Sequence, residues 1–507
     1  TILALPTSEL TQKSQKIKNV ILHARSENSI LTIFKQAQFE GQAWEALPAV
    51  GASIEAPLSD LGQSLAAQTI FGGFDKTGLE GGKKRLGYAP PEALGLDGKL
   101  LKDSIQAIIQ QGLDEGAFPG AQVLVAYKGS IIYHEAFGYH TYDKKKATQL
   151  DDIYDLASVT KVSSSLPYLM KRHGQGKFDL EASLGDYFPD FKRSNKGDII
   201  FRQILAHNAR LRPWIPYWKG TLKKHPKYPW SKKWDNERIN DYQFRKKTFS
   251  RDSSADYNIY VADDLWQHRD YQQKMMKGIK KSPLNDKPGY VYSGLLFYLL
   301  PEYVARTSGK PYAEALDYYF YKPLGAHTLG FNPLKEFPKG RIIPTERDTF
   351  FRMTQIHGHV HDEGAAMMGG LSSNAGLFSS ANDLAKLFQM YLNGGEYGGE
   401  RYIAAESVKE FTRCQYCEED NRRGLGFDKP LIEYNEASSS VAEAASPASF
   451  GHSGYTGTFA WADPEAELLF IFMSNRVYPT RLNRKLYSLG IRPRIHTAIY
   501  QALNNKK

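Results

Sequence analysis

A chain of 507 residues, 41% hydrophobic and 24% charged, has ordinary globular composition and enough apolar material for a large core and more than one domain. No run approaches eighteen apolar residues, which excludes a membrane-spanning helix in the sequence as given, and with no basic-then-apolar leader ahead of Thr1 a signal peptide is expected to have been removed or never to have been included. The net charge of +10 raises nucleic-acid binding, but the excess is concentrated between Lys219 and Arg251, where lysines and arginines alternate with Tyr228, Trp230, Trp234, Tyr242 and Phe244. No nucleic-acid-binding motif accompanies it, so no nucleic-acid partner is expected; a solvated insertion whose aromatics pack on a parent domain is the preferred reading.

In chain order, residues 1–79 read as a short α/β segment. It has a strand-like run at Asn19 to His23, an amphipathic stretch, and a helix from Ser59 to Thr69 stopped by Gly72-Gly73. Residues 80–98, rich in Gly and Pro, read as a linker. The main unit, 99–507, opens with a helix in which Ile105, Ile108, Ile109 and Leu113 recur at helical spacing. Pro119-Gly120 turns the chain into two alternating strands around a Lys-Gly turn, and a polar run then leads to a helix starting at Ser158. A basic aromatic insertion is expected over 211–280, before an apolar helix with Tyr292 at its entrance. A Gly/Ser-rich segment from Gly358 precedes another helix, two strands follow after Gly457 and at Leu468 to Met473, and a final helix, RIHTAIYQAL, closes the chain. Strands near both ends of one unit with a mostly helical middle predict an α+β layered fold, with a site at the seam.

Ser158-Val159-Thr160-Lys161 is the one place where a serine is followed three residues later by a lysine. On a helix the hydroxyl and the amine then share a face, and a lysine that has given up its proton can activate a serine as a nucleophile. Ser and Lys are common and the spacing alone is weak, so the strand-to-helix context carries the reading. Pro167, inside the expected helix, predicts a kink. Cys414 and Cys417 form C-x-x-C; zinc needs two more ligands and a redox role a thioredoxin-like setting, so a structural or free thiol pair is expected, with no metal and no cofactor.

From about residue 100 the chain resembles the serine β-lactamase and penicillin-binding-protein superfamily, in its class C, esterase and DD-peptidase branch. Three motifs in the family's order carry the likeness: Ser158-Val159-Thr160-Lys161; Tyr292-Ser293-Gly294 in place of Tyr-x-Asn; and His452-Ser453-Gly454 in place of Lys-Thr-Gly or His-x-Gly. The resemblance implies an antiparallel sheet flanked by helices with a mostly helical inserted subdomain. It implies Ser158 as nucleophile, Lys161 as its base, Tyr292 as proton relay, and an oxyanion hole from the backbone N–H groups of Ser158 and Tyr455. His452 would contact a substrate carboxylate or tune the Tyr–Lys pair, and Gly294 would remove a hydrogen-bond donor and acceptor that acylamino substrates use. The implied reaction is acyl transfer through a serine ester, on an ester, an amide, a D-Ala-D-Ala peptide of peptidoglycan origin, or a β-lactam; a cell-wall-binding protein without turnover is the rival. The insertion would wall or lid the pocket, with Lys223, Lys224, Lys232 and Lys233 favouring anionic substrates. Residues 1–79, notably LSDLGQSLAAQTIFGG, look like the end of the second domain of a family 3 glycoside hydrolase, as in Bacteroidota fusions of a β-N-acetylglucosaminidase with a β-lactamase-like half. The glycosidase's catalytic barrel lies outside this sequence, so no glycosidase activity is expected. Such fusions are exported, which implies a periplasmic or cell-envelope location.

Overall fold

The computed structural model describes residues 85–223 and 244–504, together with three N-terminal strands, β1 (Ile2–Pro6), β2 (Ile30–Lys35) and β3 (Ala52–Pro57). These three pair in parallel in the order β1-β2-β3, in keeping with an α/β segment. β2 falls in the stretch read as amphipathic, and the expected strand at 19–23 and helix at 59–69 lie outside the described residues. Lys224, Lys232 and Lys233 lie outside them too.

The main unit is built on a six-stranded sheet. β4 (Gly87–Tyr88) lies at one edge, beside β6 (Ser130–Gly138) and then β5 (Gly120–Tyr127). The far half comes from the C-terminal part of the chain: β14 (Leu468–Ser474) pairs with β5, then β13 (Phe459–Asp463), then β12 (Phe450–Ser453). Every neighbouring pair is antiparallel except β4 with β6. That edge pairing also corrects the linker reading of 80–98: Gly87 and Ala89 hydrogen-bond to the β6 hairpin, and Leu86 and Leu96 are buried.

The central strands are apolar on both faces because both are covered. On one side Val123, Val125, Phe470 and Phe472 pack with Leu101, Ile105 and Ile109 of α1 (Gly98–Asp114) and Ile495 and Ile499 of α8 (Ile491–Asn504). Asp97 caps α1 by accepting from Leu100 N. On the other side Leu124, Leu469 and Ile471 join the large core that includes Leu384 and Leu387 of α7 (Ala381–Leu392). The period-2 alternation of each strand thus sends neighbouring side chains into two cores.

Where the sequence predicted one kinked helix after Ser158, two short helices stand: α2 (Thr160–Ser163) and α3 (Ser165–Gly174), separated at Ser164 with φ −114° and ψ −100°. Pro167 sits in the first turn of α3, where a missing N–H costs nothing. The basic aromatic insertion, for which the sequence reading named no elements, contains strands. Its described part holds a small antiparallel sheet of β8 (Phe249–Ser250), β10 (Leu265–His268) and β9 (Tyr257–Ala262), followed by one helix, α4 (Tyr271–Lys281). β-branched and aromatic residues at 257–262, with Asp264 at φ 52° in the tight turn, explain the hairpin. Cys414 and Cys417, which the sequence reading left as a structural or a free thiol pair, form a disulfide with Cα atoms 5.9 Å apart. No helix among the described residues is long and apolar enough to cross a membrane.

Candidate active site

Ser158 sits on a tight turn between β7 (Tyr154–Asp155) and α2. The turn is strained: Ala157, just ahead of the serine, has φ 45°, a region costly for a residue with a Cβ. The surroundings hold it there. The Asp155 carboxylate accepts from Ala157 N at 2.8 Å and from His361 N at 2.6 Å, although burial raises its pKa against these bonds. Leu156 N donates to Leu377 O, and Leu377 N donates to Thr160 Oγ1, locking the turn to β11 (Leu377–Ser379).

Lys161 lies one turn on, buried, with Nζ 3.1 Å from Ser158 Oγ and 2.8 Å from Asn374 O. Its Nζ also faces the rings of Tyr292 and Phe297, 5.2 and 5.6 Å from their centroids. Tyr292 is therefore brought to the pair, but its hydroxyl is buried with no hydrogen-bond partner among the described residues.

The third motif arrives on β12. Gly454 N donates to Thr458 O, Thr456 Oγ1 to Asp155 O and Thr458 Oγ1 to Leu156 O, so the turn bearing Tyr455 is fastened to the strand end that bears Ser158. Gly454 is required by this approach. A Cβ there would collide with Thr458 Oγ1 and come within 2.5 Å of the Leu156 carbonyl. Gly454→Ala is accordingly expected to shift the Tyr455 N–H and to lower kcat by about 10- to 100-fold, with Tm lowered as well, since a displaced oxyanion donor costs on this scale. Steady-state kinetics with an ester and a thermal melt check it; unchanged kcat would mean that the turn does not present a donor.

His452 lies beside the Tyr–Lys pair, its ring centroid 6.0 Å from that of Tyr292. It is buried, its Nδ1–H donates to Ser453 O at 2.8 Å, and its Nε2 accepts from Arg423 Nη2 at 3.2 Å. Burial, with Arg423 and Lys161 nearby, lowers its pKa to about 3. A neutral ring with both nitrogens engaged has none left for a substrate carboxylate. Ser453 and Gly454 serve the backbone of the turn.

Ser158, Lys161, Tyr292, Gly294 and Tyr455 line one cavity of about 290 Å³. Pro213, Trp214, Ile215, Tyr217 and Trp218 from the start of the insertion line it as well. The lining also includes Asp362, Glu363 and Arg481; Arg481 is bound to both Glu346 and Glu363. Burial works against the charge of Glu346, yet Arg481 and His361 hold its pKa down at about 2. Beside Gly294, where a Cβ would lie 3.5 Å from Asn374 Cβ, stands the Asn374 amide, which receives Ser372 Oγ at 2.5 Å and gives longer bonds to Tyr298 and Asp362.

Sequence reasoning missed Asn374, Arg423 and Arg481. Asn374 stands in a Gly/Ser-rich text that resembled the family but marked no single residue. Arg423 lies 131 positions from Tyr292 with no spacing to connect them.

Comparison with known proteins agrees with this architecture. Residues 105–490 match the Beta-lactamase family. A Salmonella agona protein named "Putative D-alanyl-D-alanine carboxypeptidase" is 30% identical over 426 residues, 78% of this chain and 88% of that one. Among solved structures, EstCE1, a hydrolase with promiscuous acyltransferase activity, covers 79% of this chain and 99% of its own with TM-score 0.54 at 18% identity. A penicillin-binding-protein homologue from Caulobacter crescentus covers 79% and 97% with TM-score 0.53 at 17% identity. With the family matched over most of its length and the fold shared with these structures, the chain belongs to the beta-lactamase family of serine hydrolases.

Proposed function

We propose that this protein hydrolyses an ester, an amide or a D-alanyl-type peptide through an acyl-enzyme on Ser158, in cell-wall metabolism. The observation that carries the reading is the 3.1 Å contact between Ser158 Oγ and Lys161 Nζ on the floor of a cavity walled by aromatic side chains. With Nζ deprotonated, Lys161 takes the Ser158 proton as Oγ attacks the acyl carbon. The N–H groups of Ser158 and Tyr455 receive the developing oxyanion, and Tyr292 passes its proton to the leaving group while taking in turn the one Lys161 accepted from Ser158. Water then cleaves the ester. The carboxypeptidase name of the Salmonella relative supports a cell-wall substrate, and the Cys414–Cys417 disulfide supports an oxidising compartment such as the periplasm. Incubation with a fluorophosphonate probe followed by peptide mapping tests the assignment: the label is expected on Ser158, and a folded protein that takes up none would overturn it.

Within that class, small esters should be preferred to cephalosporins. Gly294 offers no side chain to an acylamino group, and Asn374 beside it is already committed to Ser372, Tyr298 and Asp362. A substrate that recruits Asn374 must break those bonds, and a contact not recovered costs about 0.5–1.5 kcal/mol, up to roughly tenfold in kcat/KM. Comparing kcat/KM for a p-nitrophenyl ester and a chromogenic cephalosporin checks this, and a higher value for the cephalosporin would refute it.

A further inference from the structure

One carboxylate in the lining of the Ser158 cavity, that of Asp362, has no ion-pair partner among the described residues. Asp362 caps the short helix Glu363–Met367, and all its bonds fall on Oδ1: Ala365 N donates at 2.7 Å, while Tyr298 and Asn374 give longer bonds of 3.4 Å. Oδ2 accepts from no described residue. The nearby cations are engaged elsewhere. Arg481 is shared by Glu346 and Glu363, and Lys161 Nζ is held by Ser158 Oγ and Asn374 O. Lys223, expected from the sequence to favour anionic substrates, does not line the cavity. The position of Asp362 is tied to that of the nucleophile: His361 N, one residue before it, donates to Asp155 Oδ2, whose other oxygen accepts from Ala157 N. A second group of the lining lacks a partner. Tyr217 is 8% exposed, and its hydroxyl is buried with no partner among the described residues. Burial and, after it, the charge of Asp362 push its pKa up, which puts this hydroxyl close to the carboxylate. The Tyr217 and Tyr298 rings meet edge to face, with centroids 5.9 Å apart. A carboxylate oxygen, a hydroxyl oxygen that can accept, and aromatic rings are together what holds an ammonium ion.

We infer that the acyl group of the substrate carries a free ammonium, held by Asp362 Oδ2 and the Tyr217 hydroxyl against the rings of Tyr217 and Tyr298. This deepens the proposed function and rests on it. In that reaction Tyr292 serves the leaving group, and Asp362 hydrogen-bonds to Asn374 and Tyr298 but not to Tyr292, so the cation it meets belongs to the acyl side. Gly294 lies on the same side, since a Cβ there would stand 3.5 Å from Asn374 Cβ. A neutral acyl group of the same shape would displace water from Asp362 and give the carboxylate nothing in return, which is costly for a charge. An ammonium replaces that water with a charge-assisted hydrogen bond. Asp362 is therefore a specificity residue, and the chemistry it selects is an aminoacyl ester or amide.

The experiment compares the methyl esters of alanine, β-alanine and 4-aminobutyrate with methyl isobutyrate, butyrate and valerate, in which a methyl group stands in place of each ammonium. For at least one pair the wild-type kcat/KM is expected to favour the amino ester by about 10- to 100-fold, the scale of a hydrogen bond to a charge that only one ester can make. Asp362→Asn keeps an oxygen to cap the helix and loses the charge. In that variant the ratio within the pair should fall at least about tenfold, and any loss common to both esters cancels in the ratio. No preference in any wild-type pair, or a preference that survives in a folded Asp362→Asn, would overturn the inference. If Asp362→Asn fails to fold, Tyr217→Phe takes its place. Removing the unpartnered hydroxyl should lower the ratio by about threefold or more, and an unmoved ratio overturns the inference equally. Where turnover is too slow to follow, the corresponding amides are compared as competitors of fluorophosphonate labelling: the amino amide should protect Ser158 at the lower concentration, and equal protection within every pair counts against the inference. Protein that is labelled on Ser158 yet shows no preference loses the inference and keeps the proposed function. Protein that takes no label loses the proposed function itself.

Discussion

Ser158→Ala should abolish acylation, with the hydrolysis rate falling by at least about a thousandfold and the protein remaining folded. The substitution removes one oxygen from a partly exposed side chain, leaves no cavity worth filling, and keeps the Ala157 and Asp155 contacts that shape the turn. Lys161→Ala should be nearly as damaging to turnover but differs in its effect on stability. It empties a buried site between the Tyr292 and Phe297 rings and leaves Asn374 O without its donor, which together cost on the order of 2–4 kcal/mol. Because the two residues act as a unit, the double variant should be little slower than either single one. Ester hydrolysis at the wild-type rate by a clean preparation of Ser158→Ala would move the nucleophile elsewhere.

The fold was legible where periodicity is strong. Ile105 and Ile109 of α1, the alternating β5 and β6, and the apolar run of β14 stand as their patterns predict, because each buries its apolar face against one partner. The insertion was not legible in this way. Its hairpin at 257–268 is partly covered on both faces, so Tyr260, Val261 and Ala262 run together with no apolar–polar alternation, and the surrounding charge masked the aromatic strand formers. The motifs identified side chains that meet at one cavity, including Ser158 and Tyr455 from segments almost 300 residues apart. They did not identify how His452 is used. Its ring turns inward because a guanidinium that no motif announces is waiting there. A site read from motifs gives the residues that face the substrate; the charges behind them come from loops whose spacing carries no signal.

Those buried charges and neutral imidazoles should also make the protein begin to lose stability in the range where free imidazoles titrate, before its carboxylates start to take up protons. His452 and His496 are both held neutral by burial, with pKa values lowered to about 3, and His207 is lowered well below its ordinary value by burial together with Arg423 and Lys161. The sign follows directly. Below pH ~6.5 the unfolded chain binds a proton at each imidazole and the folded protein does not, so stability falls as the pH drops, by about 1.4 kcal/mol per unit for each. Glu346 adds a second phase: with its pKa near 2 in the folded state, its contribution is complete above ~4.5 and is lost as the pH falls from there toward 2. Three imidazoles acting over two pH units withdraw on the order of 8 kcal/mol, comparable with the whole stability of a typical domain. Unfolding is therefore expected with a midpoint between about pH 4 and 5.5, measurable by tryptophan fluorescence. His496 separates this effect from catalysis, since it lies on α8 between Phe470 and Tyr500, on the side of the sheet away from the Ser158 cavity. His496→Phe removes one titrating group from an aromatic niche that can hold the ring, at the expense of the 3.3 Å bond from Ala442 N. The variant should lose some stability at pH 8, yet that stability should fall less steeply between pH 6.5 and 4.5. An acid transition near pH 3 in the wild type, or an identical slope in His496→Phe, would show that these imidazoles are protonated without unfolding the chain.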